Sequence, residues 1–130
     1  MKTEIRVPVS TGELLDKLSI LRIKEEKISD PAKLKNVRRE REILQSERDR
    51  LKLDDMAGEK ERILEDINRE IWRIEDEIRD CERRKDFGPA FVTLARSVYR
   101  TNDRRAQVKR EINQLSGSRL VEEKSYTEYA

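Results

Sequence analysis

"LEDINREIWRIEDEIRDC", residues 64–81, sets Leu64, Ile67, Ile71, Ile74, Ile78 and Cys81 at alternating spacings of three and four. That period gathers the apolar side chains on one stripe of an α-helix for almost three heptads and leaves charge on the other faces. Upstream, Leu34, Val37, Leu44 and Leu51 keep a heptad of their own, with Arg41 and Arg48 at its remaining seam positions. If the chain doubles back at Gly58, Leu34 faces Cys81, Val37 faces Ile78, Leu44 faces Ile71 and Leu51 faces Leu64, all in one antiparallel register. The expectation is a hairpin of the second and third helices, with Gly58 as the helix stop between them.

The rest of the chain supplies two more helices. "VSTGELLDKLSILRIKEEKI" opens with Ser10 at the N-cap position, Glu13 three residues on, and Val9 placed to staple onto Leu14. Leu14, Leu18, Leu21 and Ile28 then continue at helical spacing, widened by Leu15. Asp30 and Pro31 restart the chain as N-cap and first helical residue. Gly88 and Pro89 break the third helix, and Ser116 and Gly117 end the fourth. The predicted helices cover about residues 11–29, 31–57, 59–86 and 89–116 within a single domain, 1–130. Ile5, Val7 and Val9 alternate with Glu4, Arg6 and Pro8, which fits an extended arm or edge strand, and residues 117–130 form a tail without periodicity. The fold class is therefore all-α: an antiparallel helical bundle or coiled-coil hairpin of about four helices with short extended arms at both ends.

Charged residues make up 45% of the sequence and aromatics 5%, yet the net charge is only +2. Long helices, and not disorder, account for that composition, because the apolar residues are periodic. No apolar run approaches the roughly 20 residues that cross a bilayer, and "MKTEIRVPVS" lacks the apolar stretch of a secretory signal. A cytoplasmic protein without membrane attachment is expected. With no histidine and a single cysteine, Cys81, a His-ligated metal, a His general base and an internal disulfide are all excluded. Residues 59–86 are rich in Asp and Glu, whereas the fourth helix carries Arg96, Arg100, Arg104, Arg105, Lys109 and Arg110 against Asp103 and Glu111. The acidic and basic rods are expected to pair with each other.

Within that fourth helix, "LARSVYRTNDRRAQVKREINQL", residues 94–115, turns polar where its apolar stripe should continue. Its seam runs through Thr101 and Arg105, so both face inward, and folding back on the third helix brings Arg105 toward Glu70. One reading is structural: a buried pair that fixes register. The other is functional: Tyr99, Arg100, Asn102, Arg104 and Arg105 as a site for a small anion or a partner, because arginine forks suit phosphate and carboxylate. One helix cannot aim all five the same way, so a pocket needs a second helix or subunit. Trp72 lies about 100° off the third helix's seam and is the interface candidate, packed on a further helix or anchoring a partner. Glu75, Asp76, Glu77 and Asp80 read as a solvated acidic face and not as a metal cluster, since the second helix offers no facing acidic pair. Nucleic-acid binding is disfavoured by the small net charge and by the absence of recognition motifs. No cofactor is expected, and the balance leans against an enzyme.

Taken together, "VSTGELLDKLSILRIKEEKISDPAKL", "IEDEIRDCERRKDFGPAFVTLARSVYRTNDRRAQVKREIN" and "LVEEKSY" resemble an uncharacterised family of small bacterial proteins, in which this unit occurs alone or attached to tetratricopeptide-repeat glycosyltransferase-like chains. The resemblance runs from Val9 to Tyr126 and is weakest between about Val37 and Ile63. It implies a bacterial or phage-borne protein, accessory to surface-glycan metabolism, and carries no catalytic residues. Apolar surface beyond one seam, at Leu15, Ile20, Ile23, Trp72 and Tyr99, adds the expectation of a homo-oligomer, with a dimer favoured. The expected function is a non-catalytic interaction or scaffold module, with a binder of phosphorylated or sugar-nucleotide ligands as the alternative.

Overall fold

A computed structural model describes residues 3–129. It contains four helices, α1 (Thr11–Lys27), α2 (Pro31–Arg50), α3 (Asp55–Arg83) and α4 (Pro89–Ser116), and no strand among the described residues. Met1, Lys2 and Ala130, the ends of the predicted arms, lie outside that range.

The local signals form as the sequence predicts. Ser10 Oγ accepts from the Glu13 amide at 3.1 Å, and Asp30 accepts from the Lys33 amide at 3.0 Å, each satisfying a donor that the first helical turn leaves open. Gly117 closes α4 with φ 66, the left-handed region that a residue without Cβ enters at little cost. The stop between α2 and α3 is different. α2 ends at Arg50, not near Gly58, and α3 begins at Asp55 behind an N-cap at Asp54, whose side chain accepts from the Ala57 amide at 2.9 Å. Gly58 sits inside the first turns of α3. Leaving the helix early lets Leu53 turn in and pack against the core. At the other ends α1 stops at Lys27 and α3 at Arg83, two and three residues short of the predicted limits.

The pairing of helices also departs from the sequence expectation. α2 packs on α1, α3 packs on α4, and α1 lies against both α3 and α4, while α2 and α3 do not pack along each other. The antiparallel hairpins are thus α1 with α2, tied by Arg41 to Glu25 at 2.9 Å and Arg22 to Gln45 at 3.1 Å, and α3 with α4, tied by Lys60 to Glu111 at 2.8 Å. α2 buries no residue. Its heptad of Leu34, Val37, Leu44 and Leu51 is only half-covered, because α2 has a single neighbour. α2 and α3 meet only near the turn, where Arg48 donates to Glu61 at 2.9 and 3.3 Å.

The core is built where three helices converge. Leu15 of α1, Leu64 and Ile67 of α3, and Val108 and Ile112 of α4 form its centre. Each fully buried Leu or Ile contributes roughly 1.5–3 kcal/mol, so the convergence of α1, α3 and α4 supplies most of the stabilisation and α2 acts as an outer brace.

Candidate functional site

Arg105, Lys109 and Asn113, at successive turns of α4, face α1 and are met there by polar groups. Gly12 comes so close that a Cβ there would stand 2.6 Å from the Lys109 carbonyl oxygen. The Gly12 amide donates to Asn113 Oδ1 at 2.7 Å. One turn on, Lys109 donates to Glu13 at 2.7 Å and lies 3.6 Å from Asp16. A further turn on, Arg105 holds Asp16 with two bonds, Nε to Oδ1 at 2.9 Å and a second from the terminal nitrogen to Oδ2. α3 completes the set: Asn68 donates to Asp16 Oδ1 at 2.8 Å and to Ser19 Oγ at 2.6 Å, and Ser19 donates to the Asp16 carbonyl at 2.8 Å.

Asp16 is therefore the hub. It is 1% exposed, yet every buried side-chain donor and acceptor among the described residues has a partner. Burial pushes its carboxyl up, but hydrogen bonds from Arg105 and Asn68 and the charges of Arg105 and Lys109 outweigh burial, and the group titrates below the usual range. Arg105 moves up correspondingly, first through its hydrogen bond to Asp16. Burial works against the charged form of Lys109, and its bonds to Glu122 and Glu13 overcome that, leaving its ammonium raised. All three groups are charged at neutral pH.

The sequence-derived candidates separate onto different faces. Arg105 turns inward to Asp16 and does not meet Glu70, contrary to the expectation from a simple α3–α4 fold-back; the exposed Arg104 takes Glu70 instead, at 3.3 Å. The reason is that α1 fills the space beside the α4 seam. Thr101 is buried, as its seam position requires. The two rods also pair only in part: Arg105 and Lys109 go to α1, while Lys109 and Arg110 reach the C-terminal arm at Glu122 and Glu123, at 2.8 and 3.2 Å. Asn102 is half-buried, and Tyr99 and Arg100 are exposed.

Tyr99 and Asn102, with Val98 and Asp103, do share a groove. Its volume is about 1020 Å³, and its other wall is the arm from Lys124 to Tyr129. Tyr129 closes the far end: its hydroxyl donates to Asp103 at 2.6 Å, which raises the phenol's pKa, and its ring meets Tyr99 edge-on at 5.0 Å between centroids. Trp72 is half-buried on α3 and lines two smaller depressions of about 410 and 250 Å³, both also lined by Ile23 of α1. Glu75, Glu77 and Asp80 are held by Arg79, Arg73, Arg83 and Arg84 along the same helix.

Sequence reasoning missed Gly12, Asp16, Ser19, Asn68 and Asn113. The available signal was Ser19, four residues after Leu15 and so on the same face of α1, with Asp16 one turn before it.

No curated protein and no solved structure matches this chain. The model of the family of unknown function DUF6165 matches residues 4–129, which is nearly the whole sequence, and the chain belongs to that family.

Proposed function

We propose that this protein is a non-catalytic interaction module that works as a homodimer, joined through its N-terminal arms. One observation carries the reading. Along the extended arm Ile5 is 86% exposed, Val7 68% and Val9 41%, alternating with Glu4 and Arg6. Such alternation gives an extended segment one apolar face, which is useful only when something covers it. The same arm of a second copy fits. In an antiparallel two-fold pair centred on Ile5, Ile5 meets the partner's Ile5 and each Glu4 stands opposite the partner's Arg6, while Val7 stands opposite the partner's Thr3, so the pairing is self-complementary at its centre. Pro8 confines the arm to edge pairing and limits growth beyond two copies. The half-buried Trp72 is a second candidate contact.

Sedimentation at micromolar concentration tests this. The expected result is a dimer that becomes monomeric in the Ile5→Asp, Val7→Asp variant. A strictly monomeric wild type overturns it.

A second reading, a binder of small phosphorylated or sugar-nucleotide anions, is favoured by the groove lined by Tyr99 and Asn102 and weakened by the engagement of Arg104 and Arg105 elsewhere. Thermal stabilisation by millimolar nucleotide sugars or phosphates is its test: a micromolar ligand would add several kcal/mol. Nucleic-acid binding has less support, because carboxylates of α1, α3 and the arm meet α4's cations. A bacterial, cytoplasmic setting and an accessory role beside glycosyltransferase-like chains complete the proposal, resting on the sequence resemblance.

A further inference from the structure

The C-terminal arm is attached to α4 as a docked peptide is, and not as a packed element. Every residue from Arg119 to Tyr129 is exposed. Two ties hold the arm: the carboxylates of Glu122 and Glu123 on Lys109 and Arg110, and the Tyr129 ring and hydroxyl on Tyr99 and Asp103. Between them the chain from Lys124 to Glu128 stands off the helix and leaves the groove underneath. The lengths explain why. From Glu123 to Tyr129 an extended chain spans about 20 Å, whereas Arg110 and Asp103 are about 10 Å apart along the helix axis. The surplus bows outward.

The covalent link is equally telling. Ser118 is fixed to the bundle by its amide to the Asn113 carbonyl at 2.9 Å and by the Thr11 amide to its Oγ at 3.3 Å. Beyond it, side-chain ties alone seat the arm on α4. A segment held this way competes for its own site with an effective concentration on the order of millimolar. A free segment of like chemistry, with better contacts, would displace it.

We propose that the face of α4 from Tyr99 to Arg110 is a docking surface for an extended acidic peptide with a carboxylate pair followed by a tyrosine, and that the arm is its intramolecular stand-in. Charge complementarity selects the partner: Lys109 and Arg110 of α4 take the carboxylates of Glu122 and Glu123. The aromatic tie adds direction, since a tyrosine reaches Asp103 and Tyr99 only when the carboxylates lie toward Arg110.

The test uses a fluorescein-labelled peptide, SRLVEEKSYTEY, titrated against the full chain and followed by anisotropy. In the Glu122→Lys, Glu123→Lys variant the intramolecular arm no longer competes, and the peptide is expected to bind at least tenfold more tightly than to wild type. Adding Arg110→Glu should abolish that gain. Equal affinity for wild type and variant, no binding to either, or equal binding of a scrambled peptide overturns the proposal. Should the double variant lose helicity, Tyr129→Ala releases the other tie through exposed groups only, and the same comparison decides. A wild-type dimer that dissociates in Glu122→Lys, Glu123→Lys but persists in Ile5→Asp, Val7→Asp would support the proposal with a second copy's arm as the partner. The N-terminal pairing involves different residues, so either idea can fail alone.

Discussion

Replacing Arg105 with Leu should unfold this protein more readily by about 3 kcal/mol, and the structure says why the figure is not smaller or larger. The substitution removes both guanidinium bonds to Asp16, which is 1% exposed. Breaking a buried pair by deleting one partner costs about 3–5 kcal/mol. The lower end applies, because Asn68 stays at 2.8 Å and Lys109 at 3.6 Å to compensate part of the charge. Urea unfolding followed by circular dichroism at pH 7 would read this as a midpoint lowered by about 1.5 M, for a slope of about 2 kcal/mol/M. Glu70→Leu should change stability by less than about 0.5 kcal/mol, since its pair with Arg104 is solvent-exposed. Asp16→Leu in the Arg105→Leu background should recover part of the loss, leaving Asn68 with Ser19 as its acceptor. The pH dependence supplies an independent sign. Asp16 titrates low in the folded protein, so it contributes stability above its unfolded value of about 3.9, and that contribution is lost as pH falls through the folded pKa. In Arg105→Leu burial dominates and raises the same group, so the variant's deficit should shrink on acidification. A variant within 1 kcal/mol of wild type, or a Glu70→Leu loss of equal size, would refute the hub.

Gly12→Ala should cost about 1–3 kcal/mol, as overpacked sites do, because its Cβ would meet a backbone carbonyl that cannot swing aside; a thermal melt measures it. Lys85 holds φ 54 in the turn after α3, so Lys85→Gly should be neutral or stabilising by up to about 1 kcal/mol in the same melt. Glu122 titrates below the usual carboxylate range through its bond to Lys109, so its tie persists above the ordinary value and is lost as pH falls through the folded one; NMR shifts of Tyr129 between pH 6 and pH 3 should report the release. The raised Tyr129 phenol should ionise later than an ordinary tyrosine on alkaline titration at 295 nm, and Asp103→Asn should return it toward 10.

The helices were legible because their signals are local. A cap needs one side chain and an amide three residues away, and Ser10, Asp30 and Gly117 satisfy that without help from the rest of the fold. Helix partners were not legible in the same way. The heptads of α2 and α3 are in phase, but a heptad records which face is apolar and not which helix covers it. α2 carries Arg41 and Arg48 at its seam, and those arginines find Glu25 and Glu61 at the edges of the bundle instead of a second apolar stripe. α3 instead has Leu64, Ile67 and Ile74 buried beneath α1 and α4. Gly58 misled because a glycine ends helices only where the chain must turn left-handed, and there is no such turn at that position.

The polar stretch of α4 has its explanation in what an apolar stripe cannot do. Leu and Ile side chains on α3 would pack against α1 in several neighbouring registers with modest loss, since hydrophobic contact is non-directional. The α1–α4 contact allows one. Gly12 with Asn113, Glu13 with Lys109, and Asp16 with Arg105 fall at successive levels of the two helices. Sliding α1 by one turn, about 5.4 Å, would break all three at once, drive a side chain into the Lys109 carbonyl where Gly12 had been, and leave a buried carboxylate unpaired. That last term alone is several kcal/mol, a large part of the roughly 5–15 kcal/mol that holds a domain together. The network need add little to net stability to act in this way. It makes the misregistered bundles too costly to populate, which is what a slender, highly charged chain with a small core requires if α1 is to present Ser10 and the N-terminal arm at one fixed end.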